Sequence, residues 1–251
     1  MSTQVTTAVG KFVWHEHVST EPAKAQEFFK QLLGWEYEVF KPGGYDYAMI
    51  TSGGQMHGGF PQVPDGTPSH WVGNVAVENV DETAEKATSA GGSVLVGPMD
   101  ITEVGRYAVI RDPQGGVVAA FQPAGEGPFG QGVFVWDELG TSDVDAAERF
   151  YGDLFGWTTN DMGPDYGGYK IFQRGSGDEN GVGGLMANPD SSMSTSWHPY
   201  VAVEDVDATL AKAQELGGST VVEAMDVPNV GRIAVIQDTT GAVLGLIKPS
   251  T

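Results

Sequence analysis

Val230 to Pro249, near the end of the chain, restates Val104 to Pro123, 126 positions earlier. Both stretches read Val-Gly-Arg-x-Ala-Val-Ile-x-Asp-x-x-Gly, and both close on Pro. Apolar and β-branched residues flank the Asp-x-x-Gly in each, so each copy reads as two short strands around a tight turn, with Gly supplying the positive φ. The match extends outward: between Trp71–Pro123 and Trp197–Pro249, 26 of 53 aligned residues are identical. Earlier segments recur at a shift of 122. Phe12-Val-Trp-His-Glu returns as Phe134-Val-Trp-Asp-Glu, and Phe28-Phe29 with Leu33-Gly-Trp35 returns as Phe150-Tyr151 with Phe155-Gly-Trp157. The second copy therefore carries four extra residues, near Gly175 to Asn188. The chain is a tandem repeat.

Inside one copy the pattern itself runs twice. A strand over 12–18 leads into a helix for which Thr20 is the expected cap, Glu21 the complement to its dipole and Pro22 a first-turn residue. Phe28, Phe29, Leu32 and Leu33 make its apolar stripe and Gly34 ends it. Strands are expected over 35–40, 45–51 and 55–60. After the Pro61 to Pro68 loop the programme restarts: strand 71–77, helix 79–90, then strands 93–96, 106–111 and 117–122. The prediction is an α+β fold of two tandem domains, 10–123 and 132–249, joined by a Gly- and Pro-rich linker over 124–131. Each domain pairs two β-α-β-β-β modules into a curved sheet around a cleft for a small molecule.

Composition narrows the partners. At 40% hydrophobic and 10% aromatic residues the chain is globular. Its formal net charge of -20 disfavours nucleic acid and anionic membrane, and no apolar run approaches the roughly 20 residues a bilayer span needs. There is no cysteine, hence no disulfide or thiolate site, and the first residues lack the pattern of a signal peptide. A cytoplasmic protein with a small-molecule ligand is expected, as a monomer or a homodimer. The duplication, which puts four modules in one chain, leans toward the monomer.

The repeated elements resemble a known family. Ala147-Glu-Arg-Phe-Tyr-Gly-Asp-Leu-Phe-Gly-Trp157, Val201-Ala-Val-Glu-Asp-Val-Asp207 with its helix to Gly217-Gly218, and the turns at Asp112 and Asp238 are similar to the vicinal oxygen chelate superfamily, which includes glyoxalase I, bleomycin- and fosfomycin-resistance proteins and extradiol dioxygenases. The resemblance covers nearly the whole chain. It implies a glyoxalase-like lyase or isomerase acting on small carbonyl compounds, or a non-catalytic binder that has lost the metal. It also implies one divalent metal held by His, Glu or Gln on the first and last strands of the modules. Carried over by position, those ligands fall on Trp14, Trp136, Val72, His198, Ala119, Gly245 and the regions of Gly58-Gly59 and Gly183-Gly184, with His57 adjacent. Only His198 can ligate in place, so the triad is incomplete and a divalent metal in the second domain has one tentative ligand.

Strand alternation adds candidates of its own. Glu16 shares the face of Trp14, and Glu138 that of Trp136, so a carboxylate recurs beside an aromatic wall. Glu138, Glu16 and His198 are the candidate acid–base residues. Trp14, Trp136, Tyr200 (which shares the face of His198), Arg106 and Arg232 are the candidate substrate contacts. For the carboxylates the alternative is a bond to backbone or Arg, for His198 a structural network, and for the arginines ion pairs with nearby acids. His15 and His17 alternate away from Glu16 toward the helix side, against a His-Glu-His metal cluster. His57 and His70 are expected to be solvent-exposed near loops.

Overall fold

The structure, a computed structural model, describes residues 8–41, 44, 46–125, 132–175 and 180–250. Most of the expected linker (126–131), Tyr45 at the start of an expected strand, and 176–179 among the extra residues of the second copy lie outside the described residues.

The first repeat forms β1 (Phe12–Val18), helix α1 (Pro22–Leu33), β2 (Glu36–Phe40), β3 (Tyr47–Ser52), β4 (Gln55–Phe60), β5 (His70–Ala76), α2 (Val80–Ser89), β6 (Ser93–Ile101), β7 (Gly105–Arg111) and β8 (Val117–Pro123). The second forms β9 (Phe134–Thr141), α3 (Val144–Phe155), β10 (Thr158–Asp161), β11 (Lys170–Gln173), β12 (Gly181–Ala187), β13 (Ser196–Ala202), α4 (Val206–Glu215), β14 (Ser219–Val227), β15 (Gly231–Gln237) and β16 (Val243–Pro249). Each repeat makes one eight-stranded sheet, ordered β2-β3-β4-β1-β5-β8-β7-β6 and β10-β11-β12-β9-β13-β16-β15-β14. This is the expected α+β pairing of β-α-β-β-β modules. The first strand of a module runs parallel to its last, as in β1 with β4 and β5 with β8, and the intervening hairpins are antiparallel.

The repeated turn behaves as its sequence requires. Asp112 Oδ1 accepts from the backbone N–H groups of Gln114, Gly115 and Gly116, and Gly115 takes φ +111°. Asp238 does the same for Thr240, Gly241 and Ala242, with Gly241 at φ +107°. Two local expectations are corrected. Glu21, not Thr20, is the cap residue of α1; its side chain makes no cap bond, and its own N–H donates to Ser19 Oγ at 3.0 Å. Strands β6 and β14 run five residues past Val96 and its counterpart, because register shifts let them bend and stay paired with β7 and β15.

The sheets follow the repeats, whereas the hydrophobic cores cross them. One compact unit holds the described residues of Met1–Trp14, Gly73–Gly130 and Trp136–Trp197; the other holds His15–Val72, Gln131–Val135 and His198–Thr251. In the first unit α2 packs on α3, and Phe12, Phe150, Tyr151, Trp157 and Trp197 share a core with Val75 and Ile110. In the second, α1 packs on α4, and Phe29, Trp35, Trp71 and Phe134 share a core with Leu210 and Ile236. Equivalent glycines permit close packing in the two cores: Phe150 rests on Gly92, and Phe28 rests on Gly218. No helix among the described residues is long and apolar enough to cross a membrane.

Candidate functional site

In the second unit Glu16 sits on β1 directly across from Gly59 on β4. The Tyr47 ring, from the first residue of β3, lies over Gly59 so closely that a Cβ there would fall inside it. Gly59 is thus needed for close approach, not for a positive φ. Tyr47 Oη donates to Glu16 Oε1 at 3.1 Å. On the other side of the strand, His15 and His17 are fully buried, as alternation requires. His15 stacks on Phe134 with ring centroids 4.2 Å apart, and His17 Nε2 lies 2.6 Å from Asp238 Oδ2 among Phe29, Phe60 and Trp71.

The first unit repeats the arrangement. Glu138 on β9 faces Gly184 on β12, and Tyr169, just before β11, lies across that glycine. Trp136 Nε1 donates to Tyr169 Oη at 2.9 Å, and the phenol donates to Glu138. Burial first, and the charge of Glu138 second, hold the Tyr169 phenol well above its ordinary pKa, so it is a neutral donor at neutral pH. An anionic carboxylate, a phenol that orients it and an indole beside them form one polar centre on a sheet face.

His198 and Tyr200 lie together on β13 in the second unit, ring centroids 5.6 Å apart. Tyr200 is buried against Gly245, its register partner, again where a Cβ would collide. The duplicated arginines are engaged in ion pairs. Arg106 Nε and Nη2 donate to Asp81, both at 2.8 Å, and Nη1 donates to Asp100 at 2.9 Å. Arg232 makes the same fork on Asp207 and reaches Asp226 at 3.1 Å. His57 is a correction: it lies on β4, buried, with its ring against Gly132 and Nε2 3.2 Å from Ser52 O. His70 is half-buried at the head of β5, and burial lowers its pKa despite a bond to Pro68 O.

The metal that the resemblance implies has no matching donor set. Its ligand positions hold Trp14, Trp136, Val72, Ala119, His198 and the glycines at 58–59, 183–184 and 245, of which Gly59, Gly184 and Gly245 are covered by tyrosine rings; His198 is the one side chain at those positions able to coordinate. Among the described residues no three His, Asp or Glu side chains converge on a point where an ion could be held. Stable divalent sites take roughly three or more protein ligands. These residues do not fit such a centre.

Tyr47 and Tyr169 are the site residues that sequence reasoning missed. The signal was present: they recur at the same shift of 122 that relates Glu16 to Glu138.

Comparison with known proteins identifies the family and the fold. The family model "Glyoxalase: Glyoxalase/Bleomycin resistance protein/Dioxygenase superfamily" matches residues 17–120 and again 133–246. The chain is 34% identical over 248 residues to a protein of Mycobacterium bovis named "Putative glyoxylase CFP32", covering 94% of each chain. It is 29% identical to the anthracycline biosynthesis protein DnrV of Streptomyces peucetius, over 96% of this chain and 94% of that one. The crystal structure of the Mn(II)-bound glyoxalase from Novosphingobium aromaticivorans superposes with a TM-score of 0.63 at 15% identity, covering 96% of this chain and 82% of the other.

Proposed function

We propose that this chain, which belongs to the Glyoxalase/Bleomycin resistance protein/Dioxygenase superfamily, takes a small organic molecule against its carboxylate–phenol faces and acts there as a glyoxalase-like isomerase or lyase on carbonyl compounds. The observation that carries this is the duplication of one polar centre, Glu16–Tyr47 over Gly59 and Glu138–Tyr169 over Gly184. In each, a carboxylate is oriented by a phenol, and at Glu138 the indole of Trp136 joins the pair.

Glu138 is the proton acceptor in this reading. In a hydroxyketone it removes a proton from the hydroxyl-bearing carbon beside the carbonyl; the electron pair moves onto the carbonyl oxygen to give an enediolate, the hydroxyl proton passes between the two oxygens, and return of the first proton to the former carbonyl carbon completes an isomerisation. Trp136 gives the ligand a flat wall. His198 remains the candidate acid–base group of its own face. The arginines are left out, because their guanidinium groups already hold carboxylates.

The test is solvent exchange. In deuterium oxide, the protein should speed loss of the proton NMR signal beside the carbonyl of a hydroxyketone such as dihydroxyacetone. Glu138→Gln should slow that exchange by about 100-fold or more, the usual contribution of a positioned base. A second reading, a binder without turnover, draws on the bond that already engages Glu138, and on the net charge of -20, which favours cationic or neutral ligands. It predicts quenching of tryptophan fluorescence by planar aromatic compounds with no exchange of any carbonyl probe.

A further inference from the structure

Three of the last-strand regions in which the resemblance places a metal ligand contain a glycine roofed by a tyrosine. Gly59 lies under Tyr47, Gly184 under Tyr169 and Gly245 under Tyr200, and at each a Cβ would be far inside van der Waals contact with the ring. The fourth, Ala119, is fully buried opposite Asn74. A coordinating side chain at any of the three glycines would therefore have to displace an aromatic ring. The pattern holds in modules from both repeats and in both compact units.

The rings do not replace the lost donors as ligands. The Tyr169 hydroxyl is already engaged on both sides, its hydrogen directed at Glu138 and its oxygen accepting from Trp136. Tyr47 likewise donates to Glu16. Each centre then offers a single carboxylate, well short of the roughly three ligands that a bound divalent ion takes.

We infer that tyrosine rings occupy the places from which the family's last-strand ligands project, and that the organic ligand is held by the carboxylate–phenol pairs with no divalent ion between protein and ligand. The inference rests on the ligand faces proposed above and adds what stands in them. It assigns Gly59, Gly184 and Gly245 a specific role: each is the seat of a ring.

Equilibrium dialysis of the whole chain against Mn²⁺, Ni²⁺ and Zn²⁺ at neutral pH tests it, with Glu16→Gln, Glu138→Gln and His198→Ala run beside the wild type. The expected result is no saturable uptake, or uptake that all three variants leave unchanged. Saturable uptake that any of the three abolishes overturns the inference. Fluorescence titration of the same ion-free protein with planar aromatic probes keeps the two ideas apart. Failure to bind there counts against the ligand faces, whereas saturable ion uptake that any of the three variants abolishes counts against the metal-free centre alone.

Discussion

The two compact units solve one buried hydrogen-bonding problem in two ways, and exchanging the solutions is a sharp test of the structure. In the first unit Asp112 Oδ2 accepts from Tyr151 Oη at 2.8 Å, and Trp197 Nε1 donates to that phenol, also at 2.8 Å. In the second, Phe29 stands at the position of Tyr151 and His17 at that of Leu139. Asp238 Oδ2 meets His17 Nε2 at 2.6 Å, and Trp71 Nε1 is buried with no hydrogen-bond partner among the described residues. His17→Leu leaves Asp238 Oδ2 buried and unpaired. Leaving a buried hydrogen-bonding group unsatisfied costs about 1–3 kcal/mol, and more when it is charged. A cost of about 3 kcal/mol applies here, because the group is a carboxylate whose Oδ1 keeps its bonds from Thr240, Gly241 and Ala242. A loss of about 3 kcal/mol lowers the melting temperature by roughly 6–12 °C in a chain of this size. Phe29→Tyr alone is also destabilising, since its hydroxyl competes with His17 for one oxygen. Together the two substitutions rebuild the first unit's chain, giving Trp71 an acceptor and Asp238 a donor. The double variant should recover about 2 kcal/mol relative to the sum of the single losses, within the usual range for contacting residues. Urea unfolding of all four proteins, followed by tryptophan fluorescence, measures the coupling. A double variant no more stable than the sum of the singles refutes the equivalence of the two networks.

The same pair sets an acid limit. Burial pushes the Asp238 carboxyl up, but the hydrogen bond and charge of His17, together with Thr240, outweigh it and leave the pKa below its ordinary value. A depressed folded pKa stabilises the fold above the unfolded value of about 3.9, and that stability is lost as pH falls through the folded one. Asp238→Asn should therefore lower stability at neutral pH and flatten its fall below about pH 4, as read from urea midpoints across pH. Gly184→Ala should displace the Tyr169 ring from Trp136, alter tryptophan emission and cost about 1–3 kcal/mol, as overpacked sites do. Adding Tyr169→Ala should relieve that strain, so equal losses with and without it would exclude the seat described for the ring.

Much of this fold was legible because duplication and strand alternation are properties of sequence spacing alone. The two faces of β1 follow from His15-Glu16-His17: the histidines turn inward and Glu16 turns to its own face, beside Tyr47. The recurrence of Tyr47 and Tyr169 was legible but their place beside the carboxylates was not, because only the register of Glu16 with Gly59 and of Glu138 with Gly184 brings ring to carboxylate. His57 was misread for a similar reason. A six-residue strand offers little period to read, and Gly132, which lies against the ring, is 75 positions away. The error at Thr20 is of another kind, a helix boundary displaced by one residue.

The crossing of the cores was equally hidden, and it has the widest consequence. A sequence repeat suggests that each half can fold alone, but each half contributes one module to each compact unit. In residues 8–125 alone, α1 loses α4 and the glycine seat that Gly218 offers Phe28, while α2 loses α3 and leaves the seat at Gly92 without Phe150. Exposing a large apolar side chain costs about 1.5–3 kcal/mol. Phe28, Phe29, Leu32 and Trp71 together then remove much of the 5–15 kcal/mol that typically holds a domain folded. Two half-chains can repair the loss, since Phe28 of one copy is the sequence equivalent of Phe150 and fits the Gly92 seat of another. The expected product of residues 8–125 is therefore a dimer whose urea midpoint rises with protein concentration, read by sedimentation equilibrium and circular dichroism. A half-chain that sediments as a monomer and unfolds cooperatively at a concentration-independent midpoint would show that each repeat carries a sufficient core of its own.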